Sequence, residues 1–242
     1  MKTLVIIPTY NEKENIETII KKVFSLADYF HILIVDDNSP DGTADIVKQL
    51  QKEFSSRLHI LERKGKLGLG TAYITGFKWA IEHNYPIVNE MDADFSHPPD
   101  KLIDLHDAIA NDNYDVAIGS RYISGVNVVN WPIGRVLMSY YASAYVRLVT
   151  GMKIMDTTAG FVCYKIDVLK TINLDEIKMK GYAFQIEMKF KAWKYKFKIT
   201  EIPIIFHDRQ LGNSKMTGGI FNEAVWGVLK MKIRSWFENY SR

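Results

Sequence analysis

The chain has 242 residues, 47% of them hydrophobic and 24% charged, with a formal net charge of +3. That length allows one sizeable buried core, and the composition is that of a folded globular protein rather than a disordered one. So small a positive excess argues against a polycation built for nucleic acid, and a single cysteine, Cys163, excludes an internal disulfide framework and fits a reducing compartment. The apolar run Leu4-Val5-Ile6-Ile7 stops at Pro8, short of a secretory signal, and no run of 18 apolar residues occurs, so no helix is expected to span a bilayer. The expectation is a soluble or membrane-peripheral cytoplasmic protein.

The first half alternates strand and helix signals. Leu4 to Ile7 reads as a strand buried on both faces. Ile16, Ile19, Ile20, Val23 and Phe24 mark one face of a helix. Ile32 to Val35 is a second strand, ending in Asp36-Asp37-Asn38-Ser39-Pro40-Asp41-Gly42. A helix follows with Thr43 as its cap and Ile46, Val47 and Leu50 as its apolar face. Leu58 to Leu61 is a third strand, and the basic, glycine-rich loop from Arg63 to Gly70 leads to a helix over Thr71 to His83. A fourth strand, with Pro86-Ile87-Val88, runs toward Asp92, and a helix from about Asp100 turns Leu102, Leu105 and Ile109 inward. Val116 to Ile118 is a fifth strand, ending at Gly119-Ser120-Arg121-Tyr122.

Aromatic and aliphatic residues then crowd from Val128 to Met152, and a helix over Ile133 to Thr150 would be apolar around most of its circumference. Phe161 to Lys165 and Thr200 to Phe206 read as strands, with a helix from Phe184 to Tyr195 between them. A polar loop from His207 to Lys215 precedes a last helix over Ile220 to Tyr240. The pattern predicts an α/β fold: one mainly parallel, doubly wound, Rossmann-like sheet with helices on both faces. A domain over residues 1–217 and an amphipathic C-terminal helix over 218–242 are expected.

In such sheets ligands bind beyond the carboxyl ends of the strands. Polar clusters sit at those ends: Thr9 to Glu12, Asp36-Asp37, Asp92-Ala93-Asp94 and Ser120-Arg121. Carboxylates one residue apart on an extended segment point to the same side, so Asp92 and Asp94 either share a hard cation such as Mg²⁺ or Mn²⁺ or serve as turn and cap residues. A metal there would bridge the phosphates of a nucleotide diphosphate. Arg209 and Lys215 are candidates to neutralise the remaining charge, and Asp37 to take a base N–H or a ribose hydroxyl. The phosphate-binding pattern G-x-x-x-x-G-K-[ST] is absent, and Gly65 to Gly70 fits a flexible closing loop better than a dinucleotide fingerprint.

Val5-Ile6-Ile7-Pro8-Thr9-Tyr10-Asn11-Glu12, Val35 to Thr43, Met91-Asp92-Ala93-Asp94 and Gly119 to Tyr122 resemble family 2 glycosyltransferases of the GT-A fold. Thr157 to Phe161, Gly181 to Glu187 and Arg209 to Lys215 narrow the resemblance to dolichyl- or polyprenyl-phosphate mannose synthases. It implies a nucleotide pocket for GDP-mannose from Pro8, Tyr10, Glu12, Val35 and Asp37, and a metal and diphosphate motif from Asp92, Ala93 and Asp94. Ser96 falls where some relatives carry a further metal ligand, glutamine. It also implies Arg209 and Lys215 on a loop closing over the diphosphate, and Arg121, Arg135 and Ser139 holding the acceptor's lipid phosphate. Glu187 is taken as structural or sugar-orienting. The resemblance implies inverting transfer of mannose to a polyprenyl or dolichyl phosphate.

The aromatic helix near Trp131 to Tyr145, and Trp226, Leu229, Ile233, Trp236 and Phe237 with nearby basic residues, suit peripheral contact with the cytoplasmic face of a membrane. Some relatives carry C-terminal membrane helices or an anchoring subunit; in this chain, which ends at Arg242, contact is expected to be interfacial or supplied by a partner. Rival readings are transfer of another sugar, such as glucose from UDP-glucose, a non-catalytic nucleotide-sugar sensor, and a membrane-binding structural subunit.

Overall fold

The computed structural model describes residues 1–179, 181, 183–208 and 220–241. Strands β1 (Thr3–Thr9), β2 (Phe30–Asp36), β3 (Leu58–Glu62) and β4 (Ile87–Glu90) alternate with helices α1 (Ile16–Leu26), α2 (Thr43–Leu50) and α3 (Leu69–Glu82). After α4 (Lys101–Ala110) come β5 (Val116–Ser120), the short β6 (Val128–Val129) and the long α5 (Ile133–Thr150). β7 (Val162–Lys165), α6 (Ile166–Thr171), α7 (Ala183–Lys194), β8 (Ile199–Pro203), β9 (Phe206–His207) and α8 (Ile220–Arg234) complete the order.

Seven strands form one sheet in the order β3-β2-β1-β4-β7-β5-β8, and β6 pairs with β9 in a separate ribbon. All pairings in the large sheet are parallel except those of β7, which runs antiparallel to β4 on one side and to β5 on the other. Apolar clusters cover both faces of the sheet: Leu4, Ile6, Leu33 and Val35 point to α3 and α7, while Val5, Ile7, Ile32 and Ile34 point to α1, α2 and α4. Two-sided burial is why these strands read as unbroken apolar runs. Pro8 is tolerated within β1 because pairing with β4 has ended at Ile6, so no ladder bond is lost on that side.

Several boundaries differ from the sequence reading. Gly42, in left-handed conformation at φ 90°, caps α2, and Thr43 is the first helical residue. Thr200 to Phe206 divides into β8 and β9, and α8 ends at Arg234. α5 is buried along part of its circumference, at Ser143, Val146 and Thr150, and otherwise faces outward as its aromatic stretch led one to expect, with Leu148 85% and Ile133 73% exposed. α8 packs on α5 and α7 through Val228 and Met231, leaving Trp226, Ile233, Trp236 and Phe237 facing outward. Among the described residues no helix is long and apolar enough to cross a membrane.

Candidate active site

The carboxyl ends of β1 and β2 lie side by side, with Pro8 opposite Val35 and Thr9 opposite Asp36. Thr9 Oγ1 donates to the Asp36 carboxylate at 2.8 Å, and the Ser39 N–H and hydroxyl donate to it at 2.9 and 2.6 Å, so Asp36 fixes the turn. Asn11 and Asn38 take the left-handed conformation in the two exit turns, with φ 56° and 58°, which asparagine tolerates better than most residues. The Asp37 N–H donates to the Thr9 carbonyl at 2.9 Å. Its carboxylate accepts from Arg63 Nε at 2.5 Å, while the Arg63 guanidinium also donates to Thr71 Oγ1 at 2.8 Å. Arg63, within the basic loop after β3, ties the β3 exit and the start of α3 to β2. Tyr10 carries the Lys66 ammonium 5.0 Å above its ring, and buried Glu12 accepts from Asn15 Nδ2 at 3.0 Å. Pro8, Tyr10, Glu12, Val35 and Asp37 therefore share one end of the sheet.

Asp92, Ala93, Asp94 and Ser96 follow β4 at the same end. Phe95 adopts φ 61°, and this turn lets the Ser96 N–H donate to Asp94 Oδ1 at 3.1 Å. Asp94, Ala93 and Ser96 are buried, whereas the Asp92 side chain is 35% exposed and faces a cavity. The Tyr73 hydroxyl donates to Asp92 Oδ1 at 3.4 Å. His97 Nδ1 accepts the Asp92 N–H at 3.1 Å, so that nitrogen carries no proton. Burial lowers the His97 pKa to about 4, and the ring is stacked on Phe161 at 5.0 Å. His97 is thus a neutral strut and does not balance the Asp92 charge.

Among the described residues no group of three or more His, Cys, Asp or Glu side chains is placed to hold a metal ion. Two carboxylates on one loop still fit Mg²⁺ or Mn²⁺, which normally completes its shell with substrate phosphates and water, and they suit neither zinc nor copper. The donor set therefore fits a hard divalent cation.

The cavity beside Asp92 has a volume of about 660 Å³ and also meets Arg121, Arg135, Ser139 and His97. Arg121 is held in a buried fork: Nε and Nη2 each donate to Asp156 at 2.7 Å, Nη2 reaches Thr158 Oγ1 at 2.8 Å, and the Arg121 N–H donates to Asp156 at 3.0 Å. Burial opposes the Asp156 charge, but Arg121 outweighs it and holds this carboxyl below the ordinary aspartate range. Arg135 stacks on Trp131 at 4.0 Å and donates to Asp208 at 2.9 Å, and Ser139 Oγ accepts from the Tyr122 hydroxyl at 2.7 Å. Met138 and Tyr141 line the cavity and yet are 53% and 63% exposed, so its mouth opens on the apolar outer face of α5.

Glu187 accepts the N–H groups of Lys178 and Met179 at 2.9 and 2.8 Å, anchoring the segment before α7. Two residues on, fully buried Lys189 donates to the Ala159 carbonyl at 2.6 Å and to Gln185 Oε1 at 3.4 Å. Burial pushes Glu90 up to about 8, opposed by Lys189 and the nearby Gln185 amide, and burial pulls Lys189 down to about 8. Neither Glu90 oxygen has a hydrogen-bond partner among the described residues. Asp156, Lys189 and Gln185 escaped the sequence reading because their roles depend on pairings across distant segments. Arg209 and Lys215 lie outside the described residues.

A doubly wound sheet with one reversed strand, and a cavity beyond its carboxyl edge that joins Asp92 to a buried and a stacked arginine, define a group-transfer enzyme of the GT-A glycosyltransferase class. The chain belongs to Glycosyl transferase family 2, whose sequence profile matches residues 4–172, and it is a glycosyltransferase. It is 44% identical over 233 residues to a polyprenol monophosphomannose synthase of Mycolicibacterium smegmatis, covering 96% of this chain and 88% of that one. It is 42% identical over 238 residues to an undecaprenyl-phosphate mannosyltransferase of Micrococcus luteus, covering 98% and 97%. Its fold resembles that of glucosyl-3-phosphoglycerate synthase from Mycobacterium tuberculosis, solved with Mn²⁺, uridine diphosphate and glucosyl-3-phosphoglycerate. There the TM-score is 0.68 at 16% identity, with 95% of this chain and 79% of that chain covered.

Proposed function

We propose that the protein transfers mannose from GDP-mannose to a polyprenyl or dolichyl monophosphate, giving polyprenyl-phosphate β-mannose and GDP, with Mg²⁺ or Mn²⁺ as cofactor. The observation that carries this reading is the cavity joining Asp92 to Arg121, Arg135 and Ser139 and opening on the exposed apolar face of α5. One end suits a diphosphate leaving group, the other an anionic acceptor, and the mouth suits a lipid tail. The names of the two mannosyl-transferring relatives support the same acceptor class.

Such an acceptor needs no general base. A phosphate monoester, with its second pKa near about 6, is largely dianionic at neutral pH and is already a nucleophile. Its oxygen attacks the anomeric carbon as the bond to the GDP β-phosphate breaks, and the electron pair leaves with GDP. Direct displacement inverts the α-linked donor to a β-linked product. Arg121, fixed by Asp156, and Arg135, held flat on Trp131, present guanidinium groups that orient the lipid phosphate. Arg135 exchanges Asp208 for that phosphate. A divalent cation held by Asp92 and Asp94, with Ser96 as a candidate third ligand, would neutralise charge developing on the leaving diphosphate. Arg209 and Lys215 are assigned the same task from the other side. Pro8, Tyr10, Glu12, Val35 and Asp37 hold the nucleoside.

Trp226, Ile233, Trp236 and Phe237 extend the exposed apolar surface, with Lys230 beside them, so the protein docks on the cytoplasmic leaflet where the acceptor resides. The test is incubation with Mg²⁺, a short polyprenyl phosphate and either GDP-mannose or UDP-glucose. Transfer from GDP-mannose is expected. Turnover with UDP-glucose alone would overturn the mannose assignment, and lipid binding without any transfer would favour a structural subunit.

A further inference from the structure

Between the diphosphate end and the acceptor end of the cavity, the space belongs to the sugar in transit. Gln185, on the first turn of α7, lines this same cavity with Asp92, His97 and Arg121. Its residue is only 1% exposed, and its Nε2 has no hydrogen-bond partner among the described residues. An unpartnered buried amide costs about 1–3 kcal/mol, which a fold does not retain without return.

The amide is also oriented. Lys189 can only donate, and its ammonium stands 3.4 Å from the Gln185 side-chain oxygen while being fixed by the Ala159 carbonyl at 2.6 Å. The oxygen therefore faces Lys189, and the NH₂ group turns the other way. Glu90 is close enough for the amide to favour its charge, but the two do not form a hydrogen bond. Gly160 leaves open the place in front of the NH₂: a Cβ there would lie 3.9 Å from Gln185 Nε2 and 3.7 Å from His97 Cε1. A donor held by a buried cation, facing a gap kept by a glycine, is built to meet a neutral oxygen.

We infer that Gln185 Nε2 donates a hydrogen bond to a hydroxyl of the transferred hexose, with Gly160 making room for the sugar ring and Lys189 as the positioning residue behind the amide. This rests on the nucleotide-sugar reading of the site, and it is independent of which base and which sugar the donor carries.

The test compares the affinity for GDP-mannose with that for GDP by calorimetry in Mg²⁺, for the wild type, Gln185→Met and Gly160→Ala. The first variant removes the donor at similar volume. The second leaves Gln185 intact and puts a methyl group in the gap, meeting no atom closer than 3.7 Å. Both are expected to bind GDP as the wild type does and to lose about fivefold or more in affinity for GDP-mannose, the scale of one buried hydrogen bond. Unchanged GDP-mannose affinity, or equal loss of GDP and GDP-mannose, would overturn the assignment. If the wild type instead uses UDP-glucose, the donor reading falls, and the same comparison made with UDP and UDP-glucose still decides the role of Gln185. A wild type that binds no nucleotide sugar sinks both.

Discussion

Replacing Asp156 by asparagine tests how the proposed acceptor end of the cavity is held. Asp156 is fully buried and Arg121 is 8% exposed, and they share two side-chain hydrogen bonds of 2.7 Å plus one from the Arg121 N–H. Asparagine keeps the shape but removes the charge and turns one acceptor into a donor facing the guanidinium. Removing one partner of a buried pair leaves the other uncompensated and costs about 3–5 kcal/mol. In a chain of this size each kcal/mol moves the melting temperature by about 2–4 °C, so a fall of about 6–20 °C is expected by calorimetry. Removing both charges together, as Arg121→Met with Asp156→Leu, is expected to recover much of that stability while acceptor turnover stays low. A single variant that loses less than about 1 kcal/mol, or a double variant no more stable than the single, would refute the reasoning.

Other consequences lie elsewhere in the molecule. Gly76→Ala places a Cβ 2.7 Å from Ile6 Cγ2 and 2.9 Å from Ile6 Cδ1, where α3 crosses β1. It should cost about 1–3 kcal/mol in urea unfolding, with Ile6→Val recovering part of the loss; a neutral effect would contradict the close approach. His31, bonded to the Tyr85 hydroxyl at 2.9 Å, has its pKa lowered by burial to about 4 from 6.5. Between those values the unfolded chain binds more protons, so stability should fall as pH drops from about 6.5 toward 4, and His31→Phe should flatten that slope. An unaltered slope would exclude His31 as its source. Substituting Trp236 and Phe237 together by serine should reduce cosedimentation with anionic phospholipid vesicles by about fivefold or more without lowering the melting temperature, since both rings face solvent. Undiminished binding would remove the C-terminal face from the proposed membrane contact.

Much of the architecture was legible because two-sided burial writes strands as continuous apolar runs and single-sided burial writes helices at i, i+3 and i+4. Leu4 to Ile7, Ile32 to Val35 and the helix from Ile133 to Thr150 all lie where those patterns put them. The direction of β7 was not legible, since an apolar run is the same in either direction, and β6 and α6 are too short to carry a period. The outward aspect of α5 was expected from its aromatic stretch, but how much of the helix faces outward was not legible: an apolar circumference suits either a core or a lipid surface, and only packing distinguishes them. At the site, strand-end position singled out Asp37, Asp92, Asp94 and Arg121, which do gather at one edge of the sheet. Their partners were not legible. Arg63 looked like part of a basic loop, Asp156 stood just ahead of a recognised motif, and Gln185 and Lys189 sat on a helix whose burial no local pattern revealed.

In the proposed reaction the lipid phosphate itself displaces GDP in a single step, assisted by the arginines and with no side-chain base. The anomeric configuration of the product made from α-linked GDP-mannose, read from its one-bond carbon–proton coupling, tests that most directly. A β-linked polyprenyl phosphate mannose is the expected product, and an α-linked one would contradict direct displacement.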